Sequence, residues 1–167
     1  EALLTSYLGG DGARREDALL ARAQVRSAQR RIPEAVDDYR AFGDIRGNEE
    51  TGAREAALLL SRSGDPAGPG ALVEYLRLFP RGAGATLAHQ ELFQHARGRG
   101  DTRTAIPHAQ RIIEAAPRSF AAIEAHLFLF YALPWERNAH AEAIRRLAPE
   151  SSEAEEIAAA LARERPS

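Results

Sequence analysis

Along most of this chain apolar residues return every three or four positions, the spacing of one face of an α-helix. In "PEAVDDYRAF" Ala35, Val36, Tyr39 and Phe42 share such a face, and in "EDALLARAQVRSAQR" so do Leu19 and Ala23. The stretches then come in pairs: "TGAREAALLLSRS" with "GALVEYLRLF", "TLAHQELFQHARG" with "TAIPHAQRIIEAA", and "FAAIEAHLFLFYAL" with "RNAHAEAIRRLA". A last stretch, "SSEAEEIAAALARER", opens on Ser151 and Ser152 with glutamates in its first turn, a helix-start signature,. Its outer face is charged, as suits a helix that seals an exposed end. Ala, Leu, Arg and Glu dominate and β-branched residues are few, which favours helix throughout,.

Two kinds of punctuation alternate between these stretches. Gly64-Asp65 in "SRSGDPAG" is echoed by Gly100-Asp101 in "RGRGDTRT" 36 positions later, and Pro80-Arg81 by Pro117-Arg118 37 positions later. Pro149 follows 32 positions after that. The helix pairs therefore begin near Glu16, Glu50, Thr86 and Phe120, at spacings of 34, 36 and 34 residues,. Within this frame "GRGDT" reads as the turn inside the third pair, although Arg99-Gly100-Asp101 is also the tripeptide of many adhesion ligands. Gly100 supplies a permissive backbone at a helix end, and Asp101 can cap the next helix. Pro107 lies too deep to be a first-turn proline and removes a helical hydrogen bond,.

This period and these residues resemble the tetratricopeptide repeat family over most of the chain. Gly100-Asp101, Ala105-Ile106 and Pro117 fit the family's pattern in the third unit, as do Ile32, Glu34, Ala35, Tyr39 and Phe42 in the first and Ala57 and Gly64 in the second. Asp65 to Gly70 carries about two extra residues, Phe93 and Leu127 stand where the family usually has a small residue, and the fourth unit has "LPWE" in place of a Gly-Asp turn, with a shortened second helix. The resemblance implies an all-α fold: a right-handed superhelix of antiparallel helix pairs, a TPR-like α-solenoid with a C-terminal capping helix. The expected layout is a remnant of a preceding helix and linker over 1–15, four hairpins over 16–150, and the capping helix and tail over 151–167. Ala2 to Leu8 reads as the tail of an earlier repeat, and the chain lacks methionine, so we expect it to be a piece of a longer protein.

In such a superhelix the first helix of each pair lines a concave groove. The resemblance implies that this groove binds a protein or peptide segment. Its positions fall on Leu20, Gln24 and Ser27, on Arg54, Leu58, Ser61 and Arg62, on Gln90, Gln94 and Arg97, and on Glu124, Phe128 and Tyr131. The arginines suit partner carboxylates. Phe128 and Tyr131 are the expected anchors, each costing on the order of 2 kcal/mol when truncated. They belong to "LFLFYALPW", which reads either as core or as a binding surface, since exposed aromatics in a row are costly without a partner,. The family's clamp for a C-terminal carboxylate would begin at Leu20 and Gln24, and the chain has no lysine, so that clamp is not expected. The stretch from Val73 to Leu129 is also similar to bacterial cell-envelope repeat proteins, such as the lipoprotein partners of outer-membrane assembly and the coordinators of the Tol-Pal system, in its Phe79-Pro80 and Pro117-Arg118-Ser119 marks. That implies an envelope or periplasmic setting.

Charge and composition narrow the alternatives. The net charge of −2 argues against nucleic-acid binding, which calls for a basic excess,. No apolar run is long enough to span a membrane, so no direct insertion is expected,. Cysteine is absent, which excludes disulfides and thiolate metal sites,. His89, His95, His108, His126 and His140 include no pair at i, i+4 and read as solvated or capping residues,. "RGAGAT" has no preceding strand and no following lysine, so a phosphate loop is not expected, and no serine sits in a GxSxG motif,. The adjacent pairs Asp37-Asp38 and Glu49-Glu50 point apart on a helix and read as solvated faces,. The expectation is a non-enzymatic scaffold with no cofactor, no metal and no catalytic residue. The alternative is a self-association module, a homodimer built on an apolar end, and behind it a metal-binding or enzymatic accessory domain.

Overall fold

The structure, a computed structural model, describes residues 12–163. The expected earlier-repeat tail at Ala2 to Leu8 lies outside the described residues. These residues form nine helices and no strand. The helices are α1 (Gly12–Ala28), α2 (Ile32–Gly43), α3 (Glu49–Arg62), α4 (Gly68–Leu78), α5 (Ala85–Gly98), α6 (Thr102–Ala115), α7 (Phe120–Ala132), α8 (Arg137–Leu147) and α9 (Ser152–Arg163). The chain divides into two compact units, one ending at Glu91 and the other beginning at Leu92, so the boundary falls inside α5. Among the described residues no helix is long and apolar enough to cross a membrane.

Within the first unit α1 packs on α2, α2 on α3 and α3 on α4. Ala23, Val36, Tyr39, Ala56 and Leu60 form a core there. The α2–α3 approach is close enough to need glycine: a methyl at Gly52 would lie 2.5 Å from the Gly43 Cα and 2.6 Å from the Tyr39 carbonyl oxygen. Within the second unit α6 packs on α7, α7 on α8, and α9 on both α7 and α8. One core there joins Phe93, Ala96, Ala105, Ala109, Ile112, Ala125, Leu129 and Leu133. Another joins Phe130, Ala141, Ile144, Ala154 and Ile157. Small alanines let the backbones approach, while each fully buried Leu or Ile, such as Leu129 or Ile112, contributes about 2 kcal/mol,. Within each unit this packing of helices on their sequence neighbours is the kind an α-solenoid uses,.

Three helix ends share one hydrogen-bond pattern. Arg30, Gly64 and Gly100 each take a positive φ, of 59°, 77° and 70°. Each donates its N–H to the carbonyl three residues back, at Ser27, Ser61 and Arg97. The next residue in each case, Arg31, Asp65 or Asp101, donates to the carbonyl five residues back, at Arg26, Leu60 or Ala96. This is the Schellman ending, which favours glycine because an L side chain is strained at positive φ. "GRGDT" is therefore a turn, with Gly100 at its left-handed position, and the Asp101 carboxylate accepts from the Thr104 N–H at 3.1 Å to cap α6. Hydrogen bonds from Thr104, first from its side chain and then from its N–H, hold the Asp101 carboxyl below its usual range.

Linker lengths follow the sequence marks. Residues 29–31 join α1 to α2 and 99–101 join α5 to α6, but 63–67 join α3 to α4, which accommodates the two extra residues. Asp65 organises that longer link by accepting from the Ala67 N–H at 2.8 Å. At "LPWE" the Gly-type ending is missing, and α8 has 11 residues against 14 in α6. Pro107 does not break α6. The carbonyl it leaves without a helical donor belongs to Arg103, an exposed residue,. Ser151 opens α9, its hydroxyl accepting from the Ala154 N–H at 3.2 Å.

Candidate functional site

The groove positions read from the sequence lie on α1, α3, α5 and α7, the helices expected to open the four pairs. Some of these side chains reach a neighbouring helix. In the first unit Arg62, at the end of α3, donates through Nε to Glu91 Oε1 on α5 at 2.9 Å. The Ser61 hydroxyl also reaches Glu91, at 3.4 Å. In the second unit Arg97, at the end of α5, lies 3.9 Å from Glu124 Oε1 on α7. The Tyr131 hydroxyl, at the end of α7, donates to Glu156 Oε1 on α9 at 2.8 Å. That bond leads the causes that push the Tyr131 phenol above its ordinary pKa. Ion pairs this exposed contribute little stability, about 0–1 kcal/mol each.

The individual residues differ in what they offer. Gln24, Arg62, Gln94 and Arg97 are exposed, and Gln90, Arg54 and Glu124 are half-buried. Leu58 is only 5% exposed and belongs to the core, so it presents almost nothing to a partner. Phe128 is half-buried and packs edge-on against Phe93, with ring centroids 5.2 Å apart. Phe93 is fully buried. Arg97 covers the outer side of the Phe93 ring at 5.5 Å. Tyr131 keeps about half of its surface exposed. "LFLFYALPW" thus divides by residue between its two readings: Leu129, Phe130 and Leu133 are core, whereas Trp135, beyond the last turn of α7, is 77% exposed.

"RGAGAT" has a packing role. The buried Tyr75 hydroxyl donates to Glu50 Oε1 at 3.0 Å and accepts from the Gly84 N–H at 3.0 Å. A methyl at Gly84 would lie 2.9 Å from that hydroxyl and would strike the Arg54 stem. The glycines therefore let the backbone close over Tyr75 and Arg54. Burial and the Glu50 contact raise the Tyr75 pKa.

Three polar residues are not the solvated groups that spacing suggested. Asp38 is 3% exposed, whereas its neighbour Asp37 faces outward. Arg22 binds Asp38 through Nε at 2.9 Å and Nη2 at 2.5 Å, and Arg26 adds Nη1 at 2.8 Å. The partners lie 16 and 12 residues earlier on α1, so no local pattern reveals them. His126 on α7 and His140 on α8 are likewise neither solvated nor capping. Their Nδ1 atoms lie 3.0 Å apart, and His140 Nε2 lies 3.6 Å from Glu136 Oε2. Burial, then the neighbouring His140 and Arg146, lowers the His126 pKa to about 4. Burial lowers the His140 pKa as well, against the pull of Glu136. Among the described residues no group of three or more His, Cys, Asp or Glu is arranged to hold a metal ion. No protein-family model matches this chain, and no curated protein matches it either.

Proposed function

We propose that this chain is a tetratricopeptide-like scaffold whose first helices bind a segment of another protein. In this reading the helix pairs stack in a right-handed superhelix, and the exposed polar groups of α1, α3, α5 and α7 form its concave lining. The observation that carries it is a pair of links between first helices, Arg62 to Glu91 and Arg97 to Glu124, with Tyr131 at the end of α7 bonded to Glu156 on α9. They pair charged side chains on α3, α5 and α7, and a surface whose side chains are already placed recognises an extended segment at lower ordering cost. No catalytic role is assigned to any residue, and a cell-envelope setting remains part of the proposal.

The test is capture of a partner by the whole chain beside an Arg62→Glu/Arg97→Glu variant shown to be folded by circular dichroism. Both positions are exposed, so folding should survive. A partner held by the original and lost by the variant supports the reading, and one held equally by both moves the site elsewhere. The exposed Trp135 favours a second reading, association of two copies through the end of α7. Light scattering over a concentration series, with Trp135→Ser as the control, decides that one.

A further inference from the structure

At two of the three Schellman endings the left-handed position is glycine, as its geometry prefers, but at the first it is Arg30, with φ of 59°. A strained side chain at a position where glycine would serve points to a role for that side chain. Arg30 opens onto a cavity of about 450 Å³ lined by Ser27, Ile32, Leu59, Arg62 and Ser63 as well. All of these belong to the first unit, at the ends of α1 and α3 and the start of α2. Among the described residues no hydrogen bond or ion pair engages the Arg30 side chain. Arg62 is held by Glu91 through Nε, which leaves its Nη edge for a ligand. The helix-end carbonyls nearby are occupied, since Ser27 O accepts from Arg30 N–H, Ser61 O from Gly64 N–H, and Leu60 O from the Ser63 hydroxyl.

We infer that this pocket is a subsite for an acidic side chain of a bound peptide, its carboxylate held between Arg30 and Arg62, with Ile32 and Leu59 as the floor for an adjacent apolar residue. The inference deepens the scaffold reading and rests on it for the class of ligand. Two guanidinium groups match the planar carboxylate fork. Glu91 offsets one of the two positive charges, so the remaining charge suits a monoanionic carboxylate better than a phosphate dianion. Ser27 can add a hydroxyl donor. Ser63 cannot, because its proton is committed to Leu60.

The experiment follows the arginine Nε–H resonances of the whole chain during titration with three probes. These are the peptide acetyl-Ala-Leu-Glu-Glu-Leu-Ala-amide, its Gln-Gln twin, and inorganic phosphate. The glutamate peptide should shift Arg30 and Arg62, and the twin and phosphate should bind at least about tenfold more weakly, a difference of about 1.4 kcal/mol. Arg30→Gly should weaken the glutamate peptide about tenfold while raising Tm by about 2 °C, because strain is relieved. Arg62→Gln should weaken it similarly with the fold intact. No shift of either arginine at about 5 mM peptide, equal binding of the twin or of phosphate, or unchanged affinity in Arg30→Gly would each overturn the inference. The titration needs no natural partner, so its failure is distinct from failure of the capture experiment.

Discussion

Asp38 and His140 are the buried polar side chains of the described core, one in each unit, and the units handle them in opposite ways. The first unit keeps a charge inside and surrounds it with Arg22 and Arg26. The second sets His140 against His126, and burial favours the neutral form of both rings. A buried charge is tolerated only while its partners remain, and a buried neutral base only while protons are scarce. One unit is therefore vulnerable to loss of a side chain, and the other to acid.

The most severe break in this comparison is Arg22→Ala combined with Arg26→Ala. It strands the Asp38 carboxylate and should cost about 4 kcal/mol in urea unfolding followed by circular dichroism. A loss below about 1 kcal/mol would mean that water reaches Asp38 and that the charge is not truly buried. In the second unit the comparable structural loss is Phe93→Ala, which removes a fully buried ring and its edge contact with Phe128. About 3 kcal/mol is expected there.

Acid sharpens the contrast further. The folded His126 pKa of about 4 lies below the ordinary value of 6.5. Between these values the unfolded chain binds the proton and the folded chain does not, so stability is full above pH 6.5 and declines as pH falls towards 4,. The groups facing the pair are Glu136, which favours protonation of His140, and Arg146, which opposes that of His126. The loss should be on the order of 2 kcal/mol. Trp135, the only tryptophan, reports it by fluorescence from the second unit. A His126→Asn variant should lose most of the pH slope, and a slope that survives it would place the acid-sensitive group elsewhere. The smallest expected effect is Asp101→Ala, which removes one cap and should cost about 1 kcal/mol in Tm-based measurement,.

What the sequence disclosed was chiefly local. Gly64 and Gly100 mark their turns because the left-handed position is filled by the residue it prefers, and Asp101 caps three residues ahead. Arg30 makes the same turn unseen, since nothing in "SAQRRIP" announces a positive φ. The pairings that shape the candidate surface join helices instead. Arg62 meets Glu91 29 residues on, Tyr131 meets Glu156 25 residues on, and His126 meets His140 14 residues on. No helical period links such positions, and only packing brings them together. Leu58 shows the opposite failure: placed on the lining by its repeat position, it is turned into the core.

The central claim is that partners engage the first helices and not the second. Hydrogen–deuterium exchange of the whole chain, with and without its captured partner, measures this most directly. The account predicts new protection along α1, α3, α5 and α7, strongest near Arg62 and Arg97, with α2, α4, α6 and α8 unchanged. Protection confined to the second helices, or to Trp135 alone, would contradict it.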